Sequence, residues 1–168
     1  MVKLLLAVLA LAVLAVAASA ADVTEVPSGV STEAVKAFKR GLEFHKAKQW
    51  PEAIKEYERS LALGGRFPEA FNNLAYCLRK TGRIERAIEL YKVALQLRPT
   101  FAQAHDYLAR AYLAKGDRAA ALREYEIVRR LDRKLAHCLR TAIDRNDPDY
   151  NDMPWNTGGS GAVSSPAA

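Results

Sequence analysis

The chain has 168 residues, half of them apolar and 26% charged, with a formal net charge of +6. That balance fits one globular domain and excludes a fibrous or wholly disordered protein. The two cysteines and three histidines form no Cys-x-x-Cys or His-x-x-x-His pair, so the usual zinc and haem signatures are absent.

The chain opens MVKLLLAVLALAVLAVAASA. Lys3 supplies a positive start, Leu4 to Ala17 an apolar run, and Ala18-Ser19-Ala20 a small-x-small cleavage site. This predicts a secretory signal peptide over residues 1–20, cut after Ala20, and an exported mature chain. An uncleaved membrane anchor is the alternative reading of the same run. The Ala-rich signal points to a bacterial envelope and the periplasm. A modestly basic exported chain suits an acidic protein or peptide partner or an anionic surface, and not nucleic acid. Residues 21–33 read as a flexible lead-in.

From residue 34 the sequence repeats with a period of 34. Gly41, Ala75 and Ala109 share one column, and Ala53, Ala87 and Ala121 another. Tyr57, Tyr91 and Tyr125 form a third, and Leu63, Leu97 and Leu131 a fourth. Each copy predicts a first helix, a turn and a second helix. Gly82 and Gly116 supply left-handed turn residues, where the first copy has Lys48. Pro51 opens the second helix of the first copy, and Pro68 opens the second copy. The small columns sit where two helices cross closely, and the tyrosines fill space beside that crossing. One pair cannot bury its own apolar face, so the pairs stack.

The period and columns resemble the tetratricopeptide repeat (TPR) family over about residues 34–135. The resemblance implies an all-α, right-handed α-solenoid with repeats at 34–67, 68–101 and 102–135. Arg40 and Lys48 depart from the pattern in the first copy, and Arg118 and Arg129 replace Ile84 and Leu95 in the third. Leu135, Cys138, Leu139, Ala142 and Ile143 recur at helical spacing and predict a capping helix over 136–145. From residue 146 to 168 the chain is Pro-, Gly- and Ser-rich without period, and a disordered tail is expected.

No residue set supports catalysis, a metal site or a cofactor. Cys77 stands where the third copy has Ala111, so it reads as a seam residue rather than a nucleophile, which would need a base beside it. Cys77 and Cys138 lie about two repeats apart, too far for a bridge. His105 occupies the column of Phe71 and reads as a packed aromatic. The acidic run around Asp147 and Asp149 lacks the glycine and terminal glutamate of a calcium loop.

In the family the first helices line a concave groove. Carried over, that lining is Phe38, Leu42, His45 and Lys46 in the first copy, and Asn72, Tyr76, Arg79 and Lys80 in the second. In the third it is Asp106 and Arg110, with Asn73 and Tyr107 at the border. Such a surface offers amides for a peptide backbone, aromatic anchors, and cations for acidic side chains. The family's carboxylate clamp for chaperone C-termini needs a cation and an amide at Phe38 and Leu42, an asparagine at Asn73, and cations at Gln103 and Tyr107. Only Asn73 matches, so the clamp is not expected. The expected function is a non-catalytic protein-interaction module. The alternatives are an anionic membrane contact through Arg129, Arg130, Arg133, Lys134 and Arg140, or self-assembly.

Overall fold

The computed structural model describes residues 29–150. The expected signal peptide, most of the lead-in and the tail beyond Tyr150 lie outside the described residues. Among these the chain forms seven α-helices and no strand. They are α1 (Thr32–Lys46), α2 (Trp50–Ala62), α3 (Pro68–Lys80), α4 (Ile84–Leu97), α5 (Ala102–Ala114), α6 (Arg118–Leu131) and α7 (Arg133–Arg145). Helices pack mainly on their neighbours in sequence, as α1 on α2, α2 on α3 and onward, and α7 rests on both α5 and α6. This is an all-α solenoid of three helix pairs with a seventh helix over its last face.

The three intra-repeat turns share one hydrogen-bond scheme. Arg83 N–H donates to Leu78 C=O at 2.9 Å, and Gly82 N–H to Arg79 C=O at 3.1 Å, around Gly82 at φ 81°. Asp117 and Gly116 repeat it, with Gly116 at φ 85°. This is the Schellman closure, which satisfies carbonyls left over at a helix end. In the first repeat Gln49 N–H reaches Phe44 C=O at 2.9 Å, and the left-handed position falls to Lys48 at φ 58°. A lysine there carries a steric cost of roughly 1–2 kcal/mol that glycine avoids.

The small columns are buried at the crossings as expected: Ala53, Ala75, Ala87, Ala109 and Ala121 have no exposed surface. Gly41 is the tightest of them, since a Cβ there would lie 2.6 Å from a Tyr57 ring carbon. Tyr57 and Tyr91 are fully buried. Tyr125 is only half-buried, and the Arg140 guanidinium lies 5.8 Å from its ring centre. The leucine column is not core: Leu63, Leu97 and Leu131 are 40%, 50% and 40% exposed at the ends of the second helices.

Three boundaries differ from the sequence expectation. Helix α1 begins at Thr32, inside the expected lead-in, because Ser31 caps it by accepting from Ala34 N–H at 3.1 Å. Helix α7 begins at Arg133 rather than residue 136. Asp132 caps it by accepting from the Lys134 and Leu135 amides at 2.9 and 3.0 Å. The third difference is the C-terminal segment. Asn146, at φ 53°, closes α7 with Asp147 N–H on Ala142 C=O at 2.9 Å, and residues 147–150 then run against the repeats instead of starting a disordered tail.

Arg118, a departure from the repeat pattern, has a role here. Its guanidinium donates to Ile143 C=O and lies 3.4 Å from the Asp144 carboxylate, holding the end of α7 against α6. The apolar interior falls into two clusters. A large one runs from Phe38 to Ala111, and a smaller one joins Ala109, Leu113, Ala121 and Val128 to Ala136, Leu139 and Ile143 of α7.

Two substitutions test this packing. Lys48→Gly should raise stability by about 0.5 kcal/mol, the relief of the left-handed strain less the entropy glycine adds to the unfolded chain. Gly41→Ala should lower it by about 1 kcal/mol or more despite better helix propensity, because the buried Tyr57 ring must move. Urea unfolding followed by circular dichroism reads both.

Candidate functional site

The first helices α1, α3 and α5 bring most of the expected lining residues together, although not all of them face outward. Phe38 is a core residue, 2% exposed, with its ring 4.8 Å from Phe67 and 5.6 Å from Tyr57. Asn72 and Asp106, 1% and 2% exposed, form the floor rather than the rim. Leu42 and Asn73 are half-buried and Lys46 is exposed. Asn73 accepts from the Asn72 amide at 3.2 Å.

The central feature is a run of rings in contact. Trp50, at the start of α2, meets His45 edge-on at 5.5 Å, and His45 stacks on Tyr76 at 4.8 Å with an interplanar angle of 16°. Tyr76 meets Tyr107 at 5.0 Å, and Tyr107 meets Tyr91 at 6.1 Å. Rings from all three repeats therefore form one continuous face. Trp50 was absent from the expected lining because it follows a turn and belongs to a second helix. Its place next to the irregular Lys48 turn was the only sequence clue.

His45 sits at the inner edge of this run. Its Nδ1 lies 3.3 Å from the Tyr57 hydroxyl and 3.8 Å from Cys77 Sγ. Burial lowers the His45 pKa below its ordinary value and raises that of Tyr57. Burial also pushes the Cys77 thiol up to about 12. Near neutrality this is a neutral imidazole beside a protonated thiol, a packed seam with no thiolate for nucleophilic attack.

The cationic end is built by Arg79 and Lys80 of α3 and Arg110 of α5. The Arg79 side chain is only 5% exposed, and its guanidinium lies 5.5 Å from the Tyr76 ring centre. Arg79 Nη1 and Lys80 Nζ both donate to one Asp149 carboxylate oxygen, each at 2.9 Å. Arg110 Nε donates to Asp106 at 2.9 Å, while its Nη1 reaches the backbone carbonyls of Pro148 at 3.3 Å and Tyr150 at 2.5 Å. The Arg145 guanidinium lies 4.5 Å from the Tyr150 ring centre. Burial raises the Asp149 pKa, but the hydrogen bonds from Lys80 and Arg79 outweigh it and hold the carboxyl below its ordinary value. Near this end of the groove Asn72 Oδ1 and Asp106 Oδ1 are buried without a hydrogen-bond partner among the described residues.

His105 is more than a packed aromatic. Its Nδ1 lies 2.7 Å from the Glu124 carboxylate and its Nε2 3.0 Å from Pro99 C=O, so both ring nitrogens face acceptors and the ring ties α5 to α6. Burial lowers its pKa, but those two acceptors outweigh it and the net shift is upward. The basic residues near α7 gather in a separate cleft lined by Tyr125, Arg129, Arg130, Arg133, His137 and Arg140, without Lys134. Glu126 and Asp144 already neutralise Arg129 and Arg140, at 2.8 and 2.9 Å.

A solenoid of helix pairs with an aromatic and cationic face across its first helices defines a helical-repeat interaction scaffold. The chain belongs to the tetratricopeptide repeat family: two family models described as Tetratricopeptide repeat match residues 33–100 and 78–143. Among curated proteins it is 33% identical over 92 residues to the TPR repeat-containing thioredoxin TTL4 of Arabidopsis thaliana, covering 55% of this chain and 13% of that protein. It is 25% identical over 87 residues to Hsp70-Hsp90 organizing protein 2 of the same plant, covering 52% and 14%. The chain thus spans only a small part of the curated relatives it matches. Among solved structures it is similar to the first TPR of Spaghetti (RPAP3) bound to the HSP90 peptide SRMEEVD, with TM-score 0.64, 20% identity, and 68% and 93% of the two chains covered. It is also similar to the TPR2B domain of yeast Sti1 in a pHsp70 complex, with TM-score 0.60, 25% identity, and 70% and 94% covered.

The two histidines pull stability in opposite directions with pH. His45, lowered in the fold, costs stability as pH falls through about 6.5, because the unfolded chain then binds more protons. His105, raised in the fold, contributes stability below about 6.5 that is lost as pH rises through its folded value. Relative to wild type, His45→Gln should therefore lose less stability between pH 8 and 5.5, and His105→Gln should lose more. Urea midpoints at the two pH values measure this.

Proposed function

We propose that this protein is a non-catalytic interaction module that holds an extended segment of a protein partner along the concave face of its first helices. We place it in the bacterial cell envelope after removal of residues 1–20. The observation that carries the reading is the unbroken ring face from Trp50 through His45 and Tyr76 to Tyr107, ending in Arg79, Lys80 and Arg110. Rings of this kind give apolar anchors at low entropic cost, and the cations select acidic side chains. The family supports it, since TPR structures similar to this one include a complex with an HSP90 peptide and a pHsp70 complex. Recognition nevertheless differs in detail from a carboxylate clamp. Phe38 is buried, Leu42 is apolar, and Gln103 bonds Tyr107 at 3.1 Å, so the cations stand at other positions. For the location, the support is the Lys3, Leu4–Ala17 and Ala18-Ser19-Ala20 pattern.

Capture of partners from native envelope extract by the full mature chain tests the site. Tyr76→Ala with Arg79→Glu should cut capture at least tenfold while the helical circular dichroism persists. A folded double variant that captures every partner as before would falsify the groove as the site. Intact mass of the mature protein should begin at Ala21; a mass that retains residues 1–20 would favour the anchored alternative.

A further inference from the structure

We propose that this groove selects an acidic segment read as one carboxylate flanked by two backbone carbonyls, and that residues Asp147–Tyr150 of the same chain hold that place until a partner displaces them. The inference rests on the groove reading above and adds the chemistry of the partner and the identity of the resident occupant.

The contacts of residues 148–150 are those of a bound peptide. The Asp149 side chain goes to the two cations of α3, while the carbonyls on either side of it, from Pro148 and Tyr150, go to the one guanidinium of α5. Carbonyls are common to every sequence, so Arg110 reads an exposed backbone and Arg79 with Lys80 reads the acid. Pro148 fixes its own φ and lowers the entropy lost on docking.

The groove also requires an anion. Arg79 is buried with Asp149 as the only carboxylate bonded to it among the described residues, and a buried charge stripped of its partner is strongly unfavourable. An apolar or basic segment would leave that guanidinium without a bonded carboxylate. Arg110 differs, because Asp106 already pairs with it at 2.9 Å and its remaining donor is available for carbonyls.

The resident segment fits loosely. The Asp149 side chain remains 56% exposed, and the buried Asn72 Oδ1 and Asp106 Oδ1 of the floor residues have no hydrogen-bond partner among the described residues. An external segment with further polar side chains reaching that floor would hold more tightly per residue. The internal segment competes through proximity: Asn146 turns the chain directly off α7, and Arg118 fixes the end of that helix. A short tether of this kind gives an effective concentration on the order of millimolar.

The probe is a fluorescein-labelled peptide of sequence NDPDYND, the stretch 146–152, titrated onto the full mature chain and read by anisotropy. Asp149→Ala lies outside the repeat packing and empties the internal seat. It should bind the probe at least tenfold more tightly than wild type, and a probe with alanine in place of its second aspartate should not bind. Adding Lys80→Glu, a partly exposed position, should weaken binding tenfold again. In the wild-type chain, 15N relaxation at Tyr150 should match that of α7, and Lys80→Glu should render it mobile on the nanosecond scale. Equal probe affinity for wild type and Asp149→Ala would refute internal competition. No binding to Asp149→Ala at millimolar probe would refute the acidic recognition. Either result leaves the groove reading to its own test, partner capture by the Tyr76→Ala and Arg79→Glu chain.

Discussion

The whole molecule depends on close crossings between helices that no side chain larger than a methyl group obstructs. Gly41 against the Tyr57 ring is the extreme case, and alanine fills the equivalent places in the following repeats. Close crossing lets the helices of a pair bury their apolar stripes, but a pair on its own still leaves one face open. Stacking closes that face, and stacking is what lines up the first helices. The ring face and the cations are therefore aligned by packing at a distance from them. Each repeat contributes one or two side chains, and the 34-residue period brings them into register.

Charge enters this frame at its interior edge. A guanidinium as buried as that of Arg79 is tolerated because an aromatic ring lies under it and a carboxylate in front of it. The carboxylate comes from Asp149 of the same chain, delivered by a left-handed Asn146 that closes α7 as Gly82 and Gly116 close α3 and α5. Fold chemistry and recognition chemistry thus share one turn type. The arrangement also gives meaning to the irregular third repeat, whose Arg118 holds the carbonyl that precedes this turn.

The sequence exposed the repeat because its signals are local and periodic: small residues, tyrosines and turn glycines at a constant offset. It also placed Tyr76, Arg79 and Lys80 on one stripe, since helical geometry alone does that, and the family resemblance set Arg110 beside them. Depth was beyond it. Phe38, Asn72, Asp106, Arg79 and Arg110 share the stripe of the groove but are buried, because burial depends on tertiary packing and not on the helix's own period. Trp50 was missed because it belongs to a second helix and reaches the ring face across a turn. The seat of Asp149 depends on a contact between residues about 70 positions apart in sequence, which no periodicity reports. The acidic run opposite three cations was the available hint, and the Pro- and Gly-rich composition after it masked the signal.

The division of the apolar interior into two clusters has a mechanical consequence. The smaller cluster ties α7 to α5 and α6, and α7 carries the segment that sits in the groove. Tension applied at Tyr150 therefore meets the Asp149 and Arg110 contacts first, then the Arg118 hold on the end of α7, and only later the main body of repeats. Arg79, Lys80 and Arg110 would be released by a pull too small to unravel the stack. In a chain attached to something at that end, the groove would answer to force as well as to concentration.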